Sequence, residues 1–170
     1  MGLTDKKISL WALPLLAMLS SAPLYAAKGG ESSPQPLLDK NKFSIGAGVS
    51  SNSVAGPIDD EIGFQFFAAY DLSRINLMEG VNTSIELGYM DYGFSGANAG
   101  GLWTTAVVDG RFGTSGFGWL ARLGFDLGDD SGLMFGAGLG FAINKNIELR
   151  AEYVARDEIN SIQFNVLYRM

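Results

Sequence analysis

The chain contains no cysteine and no histidine. Without cysteine there is no disulfide, no thiolate nucleophile, no cysteine-ligated metal and no lipid-modified cysteine. Without histidine the side chain that most often moves protons and binds transition metals near neutral pH is missing, so serine–histidine hydrolysis and imidazole metal sites are excluded. Positive charge is sparse as well: the 12 lysines and arginines are outnumbered by 18 acids, and they form no basic run that would track a phosphate backbone. Nucleic acid is therefore not a partner. Beyond the first residues, no stretch approaches the ~20 continuous apolar residues of a membrane-spanning helix. Nothing in the sequence asks for a cofactor or a metal, and no catalytic residues stand out, so the reading is non-enzymatic.

What the chain does have is glycine, 23 residues of it, and a high apolar fraction of 47%. Glycine weakens helix interiors and suits short strands and tight turns, which favours an all-β protein. From Lys42 onward, eight stretches of about ten residues alternate with a period of two. The clearest runs from Leu133 to Ile143: Leu133, Phe135, Ala137, Leu139, Phe141 and Ile143 share one face, and Met134, Gly136, Gly138, Gly140 and Ala142 the other. In a water-soluble barrel the bulky apolar face points inward and Lys, Glu and Asp cover the outside. Here the opposite face is mostly Gly and Ser with occasional charge, so the large apolar side chains are expected to face lipid.

The N-terminus has the three-part layout of a secretory signal: Lys6 and Lys7, an apolar run from Ile8 to Leu19, then small residues from Ser20 to Ala27. The expected organisation is a signal peptide at 1–26, a flexible periplasmic segment at 27–41 carrying Pro34 and Pro36, and a barrel domain at 42–170. Removing a leader that carries Asp5, Lys6 and Lys7 takes the formal charge from −6 to −7.

Periodicity places strands at 42–52, 62–72, 81–91, 102–112, 117–127, 133–143, 147–156 and 159–169, giving a closed eight-stranded antiparallel up-and-down transmembrane β-barrel. A ten-residue strand rises ~33 Å and, tilted at 45°, projects to ~23 Å, close to the ~25 Å apolar band of an outer-membrane barrel. With both chain ends in the periplasm, the outer connections are 53–61, 92–101, 128–132 and a tight one at Asp157-Glu158. The inner turns are 73–80, 113–116 and 144–146. This frame puts two aromatic girdles on the outward faces, as the amphipathic rings of membrane barrels require. Phe43, Tyr70, Phe112, Phe117, Phe141 and Tyr168 form the inner girdle, and Phe64, Tyr89, Phe125, Phe135 and Tyr153 the outer.

The same register turns Glu86, Arg122, Arg150 and Glu152 inward near mid-height, with Asp71, Asp109, Arg111 and Asp126 inward nearer the ends and Gln65, Gln163 and Asn165 between. A buried charge must be paired and hydrogen-bonded or it costs several kcal/mol. The expectation is a lumen ion-pair network of Glu86, Arg122, Arg150, Glu152, Asp109 and Arg111 that plugs the barrel; a gate for small ions is the alternative. The loop acids Asp59-Asp60-Glu61, Asp129-Asp130 and Asp157-Glu158 match no calcium-loop spacing and read as solvated loop tips. Inward glycines, among them Gly46, Gly88, Gly136, Gly138 and Gly140, read as space for bulky neighbours such as Phe67, Met90, Trp103, Leu120 and Leu167.

From Gly138 to Tyr153 the chain resembles the sixth and seventh strands of the small OmpA/OmpX-type outer-membrane barrels, and 42–170 is similar to them in strand count and length. The resemblance implies an eight-stranded barrel with a polar, charge-containing interior, short periplasmic turns and loops at the cell surface. It also implies a role in membrane integrity, surface interaction or narrow diffusion, and partners in outer-membrane lipid and lipopolysaccharide. The last strand, Ile162 to Met170, alternates as the family's assembly signal does, which implies handling by the barrel-insertion machinery; it ends in Met170 where a terminal Phe is usual. The expectation is a monomer in the outer membrane of a Gram-negative cell.

Overall fold

Alternating side chains decide the architecture, because a strand that is apolar on one face and small or polar on the other has to separate two environments. In the computed structural model, which describes residues 39–56, 59–72, 78–94 and 100–170, that separation is made by a single closed sheet. The expected signal peptide and most of the 27–41 segment lie outside the described residues. Chain entry is fixed by Asp39, whose carboxylate accepts from the Asn41 amide at 3.0 Å and starts a 3-10 turn at Lys40–Lys42.

Eight strands follow: β1 Phe43–Val54, β2 Glu61–Asp71, β3 Val81–Asp91, β4 Gly100–Arg111, β5 Phe117–Asp126, β6 Gly132–Ala142, β7 Ile147–Ala155 and β8 Ile159–Arg169. Each pairs antiparallel with the next, and β1 pairs with β8 from Ser44↔Arg169 to Val54↔Ile159, so no edge is left open. The fold is a closed, eight-stranded, up-and-down antiparallel barrel. Strands of 9 to 12 residues, tilted by about 40°, project roughly 23–31 Å and match the ~25 Å apolar band.

Two strands are longer than periodicity suggests. β1 runs to Val54 because its tail still pairs with the start of β8. β4 begins at Gly100 rather than 102, since Gly100 and Gly101 pair with Asp91 and Met90. Gly101 is needed there for its lack of a side chain: a Cβ would fall 2.1 Å from the Gly128 Cα in the neighbouring connection.

The outside of the barrel is apolar throughout its middle. Ile45, Val49, Phe64, Phe66, Ile85, Leu87, Leu102, Leu123, Phe135, Leu139, Leu149, Phe164 and Val166 are all exposed. A continuous belt of this kind far exceeds the few hundred Å² that soluble monomers show, and it makes the fold a transmembrane one. Aromatic rings edge the belt. At the end where the chain enters and leaves the barrel, Phe43 packs edge-on against Tyr70 at 4.9 Å and Phe117 lies tilted against Phe141 at 4.7 Å, with Phe112 and Tyr168 exposed beside them. At the loop end stand Phe64, Tyr89, Phe125, Phe135 and Tyr153.

Turns at the termini end are made by local polar chemistry. The Asn144 side chain accepts from the amides of Asn146 and Ile147 at 2.8 and 2.9 Å, which is how a short polar side chain substitutes for a turn hydrogen bond. Inside, bulky rings take the room that glycine leaves. A Cβ at Gly46 would lie 2.2 Å from Phe67, and one at Gly88 would lie 2.5 Å from Trp103, so these two rings, 5.7 Å apart, rest against bare backbone.

Candidate functional site in the barrel lumen

A narrow lumen forces every inward side chain against those across it, so a charge on one strand has to find its partner on another. At mid-height, β3, β5 and β7 supply Glu86, Arg122, Arg150 and Glu152, all buried. Arg150 Nη1 donates to Glu86 Oε1 at 2.7 Å. Arg122 Nη2 lies 2.5 Å from Glu152 Oε2 and 3.4 Å from Glu86 Oε2. Neither of those two contacts has hydrogen-bond geometry, and Arg122 is held by charge and by the Trp103 ring, 5.5 Å from its guanidinium carbon. A polar row continues from this group toward β8 and β2: Asn165 Nδ2 donates to Glu152 Oε1 at 3.0 Å, and Gln65 Nε2 donates to both Asn165 and Gln163, at 2.7 and 2.9 Å.

Toward the termini end, the network takes in two residues the sequence reading did not include. Arg150 Nε donates to Glu148 Oε1 at 2.8 Å, and the other Glu148 oxygen receives Arg169. Both share the inward parity of Arg150 and Leu167, so the signal was present. Asp109 and Arg111, expected in the network, make no ion pair among the described residues. Asp109 accepts from Asn82 Nδ2 at 3.0 Å, and exposed Arg111 donates to the Gly116 carbonyl at 3.3 Å. They have the right facing but sit at the mouth, where water competes for them. Asp71 is likewise exposed at that rim. Ser44, Asp71, Asn82, Asp109, Arg150 and Arg169 line an open vestibule of about 160 Å³ there.

A second cluster lies at the loop end. Asp126 on β5 accepts from Arg156 Nε at 3.0 Å and from the Tyr92 hydroxyl. Arg156 Nη1 donates to Ser161 Oγ at 2.7 Å, and Ser161 donates to Asn52 Oδ1 at 2.6 Å. Burial, then the hydrogen bond to Asp126, pushes the Tyr92 phenol above its usual range; burial pulls the Arg156 guanidinium below its own. Of this group only Asp126 was expected inside. Tyr92 and Arg156 lie one step past the ends of β3 and β7 but continue their inward parity.

Among the loop acids, Asp59, Asp60, Asp129, Asp157 and Glu158 are exposed as expected, and Asp130 departs from the expectation of solvated tips. Asp130 is buried, and its two oxygens accept from the amides of Glu158 and Ile159, each at 2.9 Å, so it caps the connection between β7 and β8. A backbone pair that would otherwise be orphaned claims this carboxylate.

Closed sheet, apolar outside and charge-lined inside together define a small transmembrane β-barrel protein. Among solved structures the chain is similar to a de novo designed transmembrane β-barrel, with a TM-score of 0.55 and 14% identity over 76% of this chain and 96% of that one. It is also similar to Neisserial surface protein A, with a TM-score of 0.50 and 13% identity over 76% of this chain and 97% of that one. No family model and no curated protein matches the sequence. At such identities the likeness defines the fold, and any role has to be argued from the site.

Proposed function

We propose that this protein is an integral outer-membrane barrel with a structural or surface-facing role in the cell envelope, that it carries out no catalysis, and that its lumen is sealed by internal ion pairs. The observation that carries this reading is the charge balance inside: four arginines, Arg122, Arg150, Arg156 and Arg169, pair with four carboxylates, Glu86, Glu148, Glu152 and Asp126. A conducting pore keeps its lining charges hydrated, whereas these are neutralised against one another. The partners are outer-membrane lipid and lipopolysaccharide, with the barrel-insertion machinery during biogenesis, and the chain works as a monomer exported by its leader. Membrane fractionation combined with surface protease cleavage at 53–61 and 92–101 tests place and orientation together. Recovery in the soluble periplasm, or migration on gels that heating leaves unchanged, would overturn the reading.

The second reading is a narrow diffusion path for small ions, favoured by the vestibule that reaches Arg150 from the termini end. Planar-bilayer recordings separate the two. Steady conductance by the wild-type protein supports the channel, and silence in wild type and in the Arg122→Ala and Arg150→Ala variants removes it.

A further inference from the structure

The inward period of β3, Glu86, Gly88 and Met90, does not stop with the strand; it carries on to Tyr92, which is fully buried. The chain then turns at Gly93, whose φ of +84° suits glycine and whose Cβ, if it had one, would fall 2.2 Å from the Ile62 carbonyl oxygen. Asp91 fixes this turn by accepting from the Gly93 amide at 2.8 Å. Folded back in this way, Tyr92 is tethered from three sides of the barrel. Its carbonyl accepts from Asn52 Nδ2 on β1 at 2.8 Å, its hydroxyl donates to Asp126 on β5, and the Arg156 guanidinium after β7 covers its ring at 5.3 Å. Met90, Met134, Val154 and Ile159 belong to the same apolar cluster as the ring. Arg156 Nη2 points down to Met90 Sδ at 3.0 Å, so Met90 lies between this cluster and the amide row of Gln65 and Gln163.

We infer that Tyr92 is a lid that closes the loop end of the lumen, and that it does so independently of the mid-height ion pairs, so that the barrel is sealed at two levels. The inference builds on the closed-lumen reading above but concerns a different set of residues. The lid's bonds are made by side chains and a connection, not by the strand ladder. It can therefore leave the mouth without opening the sheet.

The absence of cysteine makes a clean test available. Ser50 is buried one inward position below Asn52, and Ser50→Cys places a single thiol beneath the lid. The measurement is the rate at which a small charged thiosulfonate modifies this thiol in the folded protein in micelles, with heat-dependent gel migration confirming a closed barrel. Adding Tyr92→Ala is expected to raise the rate about 30-fold or more, the equivalent of ~2 kcal/mol at 1.4 kcal/mol per tenfold. Tyr92→Phe keeps the ring, loses only the bond to Asp126, and should raise it less. Gly93→Val keeps the Tyr92 side chain but spoils the turn that seats it over the mouth, and should reproduce the effect of Tyr92→Ala, which covers the case of a poorly folding alanine variant. Equal rates with and without the Tyr92 ring in a folded barrel would overturn the inference. Failure of the closed-lumen reading shows elsewhere, as current through the wild-type protein in a bilayer.

Discussion

Arg122→Met is the most informative single perturbation of this lumen. Two glutamates face Arg122, but they depend on it unequally. Glu86 keeps Arg150 at 2.7 Å, whereas Glu152 keeps the Asn165 amide at 3.0 Å and only the longer-range attraction of Arg150. Methionine fills much of the space against Trp103, so the change leaves packing largely intact and strands one carboxylate in a buried position. Breaking a buried pair from one side costs about 3–5 kcal/mol, and the lower half of that range applies where an amide still donates to the survivor. Neutralising the stranded partner as well, in Arg122→Met with Glu152→Gln, removes most of the penalty and should bring the loss down to about 1–2 kcal/mol, so that the coupling between the sites is about 2 kcal/mol plus the loss caused by Glu152→Gln alone. Denaturant titration of the barrel in lipid vesicles, followed by heat-dependent gel migration and tryptophan fluorescence, reads both values. The reasoning is refuted if Arg122→Met costs less than about 1 kcal/mol, or if the double variant is as unstable as the two single losses added together.

Three further outcomes follow from the same geometry. Gly88→Val would drive a side chain into Trp103 and the Phe66 carbonyl, 2.5 and 2.8 Å from a Cβ; overpacking of this kind costs about 1–3 kcal/mol, and an unchanged denaturation midpoint would contradict the packing described. Ala137→Arg, on the exposed face at the centre of β6, should destabilise the barrel by about 2–4 kcal/mol in bilayers of full thickness, and a neutral result there would argue against lipid contact. Tyr92 gives a pH dependence: its folded value lies above the ordinary one of about 10, so its contribution is complete below about pH 10 and is lost as pH rises further. Folded fraction against pH should therefore fall less steeply for Tyr92→Phe than for wild type, and identical curves would count against it.

Periodicity located every strand because each one separates lipid from lumen; β3 begins and ends where alternation puts it, at Val81 and Asp91. Its errors have a common origin. Gly100 and Gly101 look like loop because glycine weakens strands, but close approach to Gly128 decides their role. Parity tells which face a residue occupies and is silent about what lies across the lumen, which depends on the stagger between strands. Asp109 and Arg111 therefore share their facing with the true network yet lie at a wet mouth, while Glu148 and Arg169, of equally plain parity, complete it. Tyr92 was the hardest to see, since past a strand end facing is set by the turn that follows, here by Gly93.

The interior also explains why β6 is the most glycine-rich strand. Gly136 would place a Cβ 3.1 Å from Arg122 Cγ, and Gly138 would place one 2.8 Å from Glu152 Cγ. The strand between β5 and β7 thus presents bare backbone as a wall against which the Arg122–Glu152 pair lies flat. In hydrocarbon the outward Leu and Phe side chains gain little by contacting one another instead of lipid, so they fix the position of the barrel in the membrane more than they hold it together. Cohesion must then come from the closed ladder and from the side chains within. A pair of opposite charges, each buried and matched, suits that task because it is satisfied only when the two strands flanking β6 hold one register against it. The lack of side chains at Gly136 and Gly138 makes room for that pair, and glycine, a poor strand former by itself, is tolerated because both neighbouring strands are continuously hydrogen-bonded to β6.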